Sequence, residues 1–231
     1  MQKKILLALG DSWTVGAELN PDIIPMGFNL RVPYVNLLKE QLNFDQFYNY
    51  GISGSSLEDL LYQFQKFIAT DWNKNDAVTV VVHLTNPWRT AHLPRGVSLD
   101  ANSNERKHWP FDAKQFIKDF VLHFHTQEHT IMRASASISA LQYWCQQYNF
   151  NDYYFSGWIK YPTWLPGVNV DKIWANGNET AADWFGALSH NGEHLINVET
   201  NPYIVPNFSH PNQRGHRLIA DKLAAWICPT P

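Results

Sequence analysis

The sequence predicts an α/β fold with a mostly parallel sheet and helices on both of its faces. Short apolar runs alternate with stretches of helical spacing through the first two thirds of the chain, the pattern of strand–helix–strand units. The run Ile5–Leu9 carries no polar alternation, as a strand covered on both faces requires. Most of the polar signature residues stand where a predicted strand ends or a helix begins, the edge at which open parallel sheets bind ligands.

Each element has a local reason. Ile5–Leu9 (ILLAL) is a buried-strand run that stops at Gly10. Tyr34–Leu42 (YVNLLKEQL) spaces its apolar residues as a helix. Phe47–Tyr50 is a short aromatic strand ending in Gly51-Ile52-Ser53-Gly54. Ser56 caps a helix with Glu58 and Asp59 in its first turn and Leu60, Leu61, Phe64, Phe67 and Ile68 on one side. Ala77–Leu84 (AVTVVVHL), rich in β-branched residues, is the strongest strand. Residues 87–112 have no clear period and contain Pro87, Pro94, Gly96 and Pro110, which makes them a long loop. Ala113–Phe124 and Thr130–Tyr148 read as helices, and Asp152–Ile159 (DYYFSGWI) as a fourth strand. Residues 160–206 are the least regular part; loops of this length are commonly lids or binding loops. Pro211–Ile227 reads as the last helix, with Pro in its first turn.

A chain of 231 residues with 45% hydrophobic content fits one domain, residues 1–231, with long loops at the active edge. The net charge of −3 leaves no electrostatic footprint for nucleic acid or anionic lipid. The first apolar run is shorter than the ~7–15 residues of a signal-peptide core, and no run approaches the ~18 residues of a membrane span. The expectation is a soluble, cytoplasmic protein acting on a small or neutral partner. Cys145 and Cys228 form no disulfide framework and are expected as buried thiols.

Four blocks carry the chemistry: Gly10-Asp11-Ser12, Gly51-Ile52-Ser53-Gly54, Thr85-Asn86-Pro87 and Asn207-Phe208-Ser209-His210-Pro211-Asn212. Ser12 at a strand-to-helix turn exposes a hydroxyl near helix N–H groups that favour developing negative charge. The N–H groups of Ser12 and Gly54 and the Asn86 amide make a three-donor oxyanion hole, in which one donor is typically worth ~3–4 kcal/mol. His210 is the general base toward Ser12.

In these blocks the chain resembles the GDSL, or SGNH, hydrolases, over positions 5–226 with residues 87–206 unmatched apart from general layout. Ser12, Gly54, Asn86 and His210 fall on that family's four named positions, and His210-Pro211-Asn212-Gln213-Arg214-Gly215-His216 fits its HPNxxGH tail. The resemblance implies a flavodoxin-like three-layer α/β/α sandwich and ester or thioester hydrolysis without metal or cofactor. Two positions depart from it. Asn207 stands where the family has Asp, which removes the charge that would stabilise a protonated His210. Block three reads His83-Leu84-Thr85-Asn86, without the flanking Gly and Asp. If a carboxylate is supplied from elsewhere, Asp171, Asp183 and Glu193 are the candidates in the long loop.

Plainer readings exist for each residue. Ser12 alone reads equally well as a helix N-cap, His210 as a turn residue before Pro, Gly54 as a turn glycine and Asn86 as a cap or turn residue before Pro87. Asp11 reads as fixing the turn rather than moving protons. His190-Asn191-Gly192-Glu193-His194 matches a zinc-peptidase pattern, but Asn-Gly in its middle is a turn signal. His123, His125 and His129 read as a solvated helix face. Trp13, Trp88, Trp158, Trp164, Trp174 and Trp184 lie in or near the active-edge loops; their rings suit stacking on a sugar or acyl chain, or packing of the loops. Trp13 and Trp88 are the substrate-contact candidates. The combined expectation is a serine esterase removing a small acyl group, such as acetyl, from a carbohydrate or other polar alcohol. The alternatives are a lipase or thioesterase for longer acyl chains and a binding protein that keeps the fold without turnover.

Overall fold

The computed structural model describes residues 2–17, 32–89, 126–186, 201–205 and 210–229. The expected helix Ala113–Phe124, His123, His125 and the zinc-like His190–His194 motif lie outside them, as do Glu193, Asn207 and most of the 87–112 loop.

Strands β1 (Lys4–Leu9), β2 (Gln46–Asn49), β3 (Ala77–Leu84) and β4 (Asn151–Ser156) form one sheet in the order β2-β1-β3-β4. All three pairings are parallel. Among the described residues six helices accompany them: α1 (Ser12–Val15), α2 (Tyr34–Gln41), α3 (Leu57–Thr70), α4 (Gln127–Gln147), α5 (Ala181–Trp184) and α6 (Gln213–Ile227). Because side chains alternate along a strand, β1 serves two cores. Ile5, Leu7 and Leu9 pack with Leu60, Phe64 and Phe67 of α3 and Ile138 and Leu141 of α4. Leu6 and Ala8 pack with Val35 and Leu38 of α2 and Ile219 and Leu223 of α6. The result is a three-layer α/β/α sandwich.

The strand order reverses beside β1, between β1 and β3, which makes a crevice at their C-terminal ends. Leu9 is in register with Val82, so Asp11-Ser12 and Thr85-Asn86 leave the sheet at the same edge. The first and third chemical blocks stand on either side of this crevice, because β1 stops before Gly10 and β3 after Leu84. A side chain at Gly10 would bring its Cβ within 2.2 Å of Thr14 Oγ1 and 2.9 Å of His83 Cβ.

Several boundaries differ from expectation. The fourth strand ends at Ser156 rather than Ile159; Ser156 Oγ donates to the Ile159 carbonyl, closing a turn. A Cβ at Gly157 would meet His83 Nε2 at 2.8 Å, so the chain passes close to the site as it turns. Pro211 is not in the last helix: it bridges Ile204 in antiparallel fashion, and Asn212 caps α6 by accepting from the N–H groups of Arg214 and Gly215. Cys145 is buried as expected, whereas Cys228, just past the end of α6, is exposed. The irregular 160–206 stretch contains single 3₁₀ turns at Val170–Lys172 and Trp174–Gly177 besides α5.

Candidate active site

Ser12 Oγ lies 2.8 Å from His210 Nε2, across 198 residues of sequence. Ser12 is the first residue of α1, not its N-cap. That part belongs to Asp11, whose carboxylate accepts the Trp13 N–H. The capping reading of Ser12 is thereby replaced, and its hydroxyl is left to the histidine. Helix α1 is a single turn closed by Gly16 in the left-handed region, so individual N–H groups rather than a macrodipole face the site.

His210 is held through its own backbone. Its carbonyl accepts the Val205 N–H at 2.8 Å, and the Asn212 N–H donates to the Tyr203 carbonyl at 2.8 Å. The Asn212 side chain ties the same strip by donating to the carbonyls of Pro202 and Ile204. Gly215 is required by close approach, since a Cβ would stand 2.4 Å from the Tyr203 carbonyl oxygen. The tail motif therefore works as a clamp that seats His210 ahead of α6. Its final residue, His216, is core: it is fully buried, stacks on Tyr34 and accepts the Tyr34 N–H at Nδ1. Burial holds His216 down to about 3, so it stays neutral.

Gly54 occupies the third position of the Ile52–Ser55 turn with φ +74, closed by the Ser55 N–H on the Ile52 carbonyl. That position of a type II turn needs a positive φ, hence glycine. Asn86 follows β3, and its side-chain carbonyl accepts the Trp88 N–H at 2.9 Å. The turn reading of Asn86 is therefore correct for its oxygen. It fixes the side chain by one end and leaves the amide nitrogen, a donor, as the other. Tyr161 braces this loop by donating its hydroxyl to the Thr85 carbonyl.

Trp13 is only 3% exposed. It stacks on His83 with ring centroids 5.2 Å apart and stands 6.4 Å from the His210 ring. It walls the histidine from behind. Trp13–Trp158 and Trp174–Trp184 are edge-to-face pairs, which favours loop packing for these rings. Trp88 is half-buried beside Asn86, and Trp164 is 64% exposed. Asp183 is committed to capping Thr180 and to Lys160, and Asp171 lies exposed in a 3₁₀ turn.

Sequence reading missed the surroundings of Asp11. Its carboxylate pairs with His83 Nδ1 and Arg89 Nη1, each at 3.0 Å. Burial by itself would raise this carboxyl; the adjacent His83 and Arg89 overcome it and hold the group at about 2. Asp11 is thus a permanent anion that anchors the turn, as the sequence suggests, and no proton carrier. Gln63, wholly buried on α3, was missed as well: it bonds both backbone groups of Gly10 and the Ser55 hydroxyl. A polar residue inside an apolar helix face was the available signal for Gln63, and a histidine inside a β-branched strand the signal for His83.

No protein-family model matches the sequence, and no curated protein matches it. Solved structures do. One is a carbohydrate esterase whose active site displays divergent catalytic and non-catalytic binding functions, 15% identical, with a TM-score of 0.52 over 100% of this chain and 70% of the other. An acetyl xylan esterase matches at 14% identity and TM-score 0.47, over 97% and 100% of the two chains. A lipolytic protein of the G-D-S-L family from Veillonella parvula matches at 13% identity and TM-score 0.41, over 98% of each chain. The first of these shares the fold. By fold, this chain is an α/β/α sandwich of the kind on which that carbohydrate esterase is built.

Proposed function

We propose that this protein is a serine esterase that removes a small acyl group from a carbohydrate or another polar alcohol. The observation that carries the reading is the 2.8 Å contact between Ser12 Oγ and His210 Nε2. With its proton on Nδ1, the imidazole accepts the Ser12 hydroxyl proton as the oxygen attacks the ester carbonyl. The tetrahedral oxyanion is met by the Ser12 and Gly54 N–H groups and the Asn86 amide. His210 then returns the proton to the departing alcohol, leaving an acyl-serine. A water that gives its proton to the same nitrogen attacks the acyl carbon; the bond to Ser12 Oγ then breaks as His210 passes that proton to the serine oxygen, and the carboxylic acid leaves.

The wall that Trp13 makes behind His210 limits the room on that side, and the half-buried Trp88 offers a flat polar-edged ring beside Asn86. Both favour a short acyl group on an alcohol broad enough to stack. That the solved structure sharing the fold is a carbohydrate esterase supports the same choice.

A fluorophosphonate probe should label Ser12 and fail on Ser12→Ala, which should otherwise keep its melting temperature because Asp11, not Ser12, caps the helix. A series of nitrophenyl esters from acetate to palmitate should show turnover falling with chain length. A maximum at long chains would make the enzyme a lipase or thioesterase instead. An unlabelled Ser12 with no turnover on any ester would leave a binding protein.

A further inference from the structure

We propose that Arg89, Arg133 and Glu58 form a positioning chain that holds the oxyanion donors in register, a role that rests on the esterase reading above. The three donors come from three separate segments: Ser12 at the start of α1 after β1, Gly54 in the turn before α3 and Asn86 in the loop after β3. Loops drift independently unless tied, and a displacement of about 1 Å at an active site can cost on the order of 10²-fold in rate.

One continuous path of polar contacts joins all three. Asp11, the neighbour of Ser12, accepts from Arg89 Nη1 at 3.0 Å. Arg89 belongs to the Asn86 loop, its N–H donating to the Asn86 carbonyl at 3.1 Å. The Arg89 carbonyl in turn accepts from Arg133 Nη2 of α4 at 2.8 Å. Arg133 Nε donates to Glu58 Oε1 at 2.7 Å, and Glu58 lies in the first turn of α3, immediately after the Gly54 turn. The planar guanidinium of Arg133 serves two acceptors from adjacent nitrogens, which a lysine ammonium on a flexible stem does not reproduce. Neither Arg133 nor Glu58 has a place among the proposed reacting groups.

The test is steady-state hydrolysis of nitrophenyl acetate by the full chain, together with its rate of fluorophosphonate labelling. Arg133→Met and Glu58→Ala should each lower kcat about 10- to 100-fold with KM changed less than about twofold. Glu58→Gln, which keeps the accepting oxygen, should restore most of kcat, and Arg133→Lys should restore little. Near-ultraviolet circular dichroism checks that the compared variants are folded; if Arg133→Met is not, the contrast between Glu58→Ala and Glu58→Gln decides. A labelled, active wild type whose folded variants keep its kcat, or lose only KM, overturns the positioning chain and leaves the esterase reading standing. An unlabelled, inactive wild type overturns both.

Discussion

Gln63 pairs with Gly10 as a neighbouring strand would, accepting its N–H and donating to its carbonyl, each at 2.9 Å. The same amide reaches the Ser55 hydroxyl at 3.1 Å, so one side chain joins the end of β1 to the turn that carries Gly54. Gly10 therefore keeps its backbone groups satisfied where β1 runs out, two residues before Ser12.

Replacing Gln63 by Leu should strand the Gly10 N–H in an apolar site. An unmet buried polar group costs ~1–3 kcal/mol, and the lost partner bonds add to it. Urea unfolding should show a loss of about 2–4 kcal/mol, with turnover falling as well. Gln63→Glu should not rescue stability, since a carboxylate accepts the Gly10 N–H but offers nothing to its carbonyl. Wild-type stability in the Leu variant would show that the Gly10 N–H finds another partner.

His216 sets an expectation for acid. Its folded-state value of about 3 lies well below the ordinary 6.5 because burial excludes the charged ring. The unfolded chain therefore takes up a proton below about pH 6.5 that the folded chain refuses until about pH 3. Stability should be complete above pH 6.5 and fall progressively toward pH 3, by an amount on the order of 5 kcal/mol. His216→Asn keeps an acceptor for the Tyr34 N–H and removes the titration. Its unfolding free energy should be flatter across that range, and an unchanged slope would assign the acid loss to other groups.

Much of this architecture was legible in local composition. The β-branched run at Ala77–Leu84 and the Ser56 cap gave β3 and α3 nearly to the residue, because strand burial and capping are local effects. The pairing of Ser12 with His210 came from blocks at the ends of elements that a parallel sheet brings to one edge. The support around Asp11 was not legible in the same way. Arg89 lies 78 residues from Asp11 and Gln63 lies 53 from Gly10, and helical spacing tells which side of an element is covered without telling what covers it. The aromatic excess was ambiguous for a related reason. A ring that packs and a ring that stacks on a ligand have the same sequence signature; in the fold, the burial of Trp13 and the edge-to-face pairs of Trp158, Trp174 and Trp184 favour packing.

Asn207, at the position where GDSL hydrolases carry Asp, lies three residues before His210 in the sequence. If position 207 faces the His210 ring, as the resemblance to GDSL hydrolases implies, Asn207→Asp should increase kcat, because a carboxylate there would stabilise the imidazolium formed during attack. The gain should stay below the ~10⁴ separating Asp from Asn in a serine-protease triad. Initial rates on nitrophenyl acetate across pH 5–9 measure this. A large loss would mean that Asn207 makes a hydrogen bond that Asp cannot replace.

Asn86 offers the sharpest test of the oxyanion hole, because its two ends do different work. The side-chain oxygen accepts the Trp88 N–H and holds the turn, while the amide nitrogen is the proposed donor. Asn86→Ala removes both and confounds them. Asn86→Asp keeps an acceptor for Trp88 and replaces the donor with a carboxylate oxygen, which repels a developing oxyanion. Its kcat should fall at least 10²–10³-fold, the loss typical of a missing oxyanion donor, with KM little changed because the donor acts on the transition state. Its melting temperature should stay close to that of the native protein, since the turn keeps its bond. If KM rises while kcat holds, Asn86 binds the ground-state ester, and the negative charge must be met by the Ser12 and Gly54 N–H groups alone.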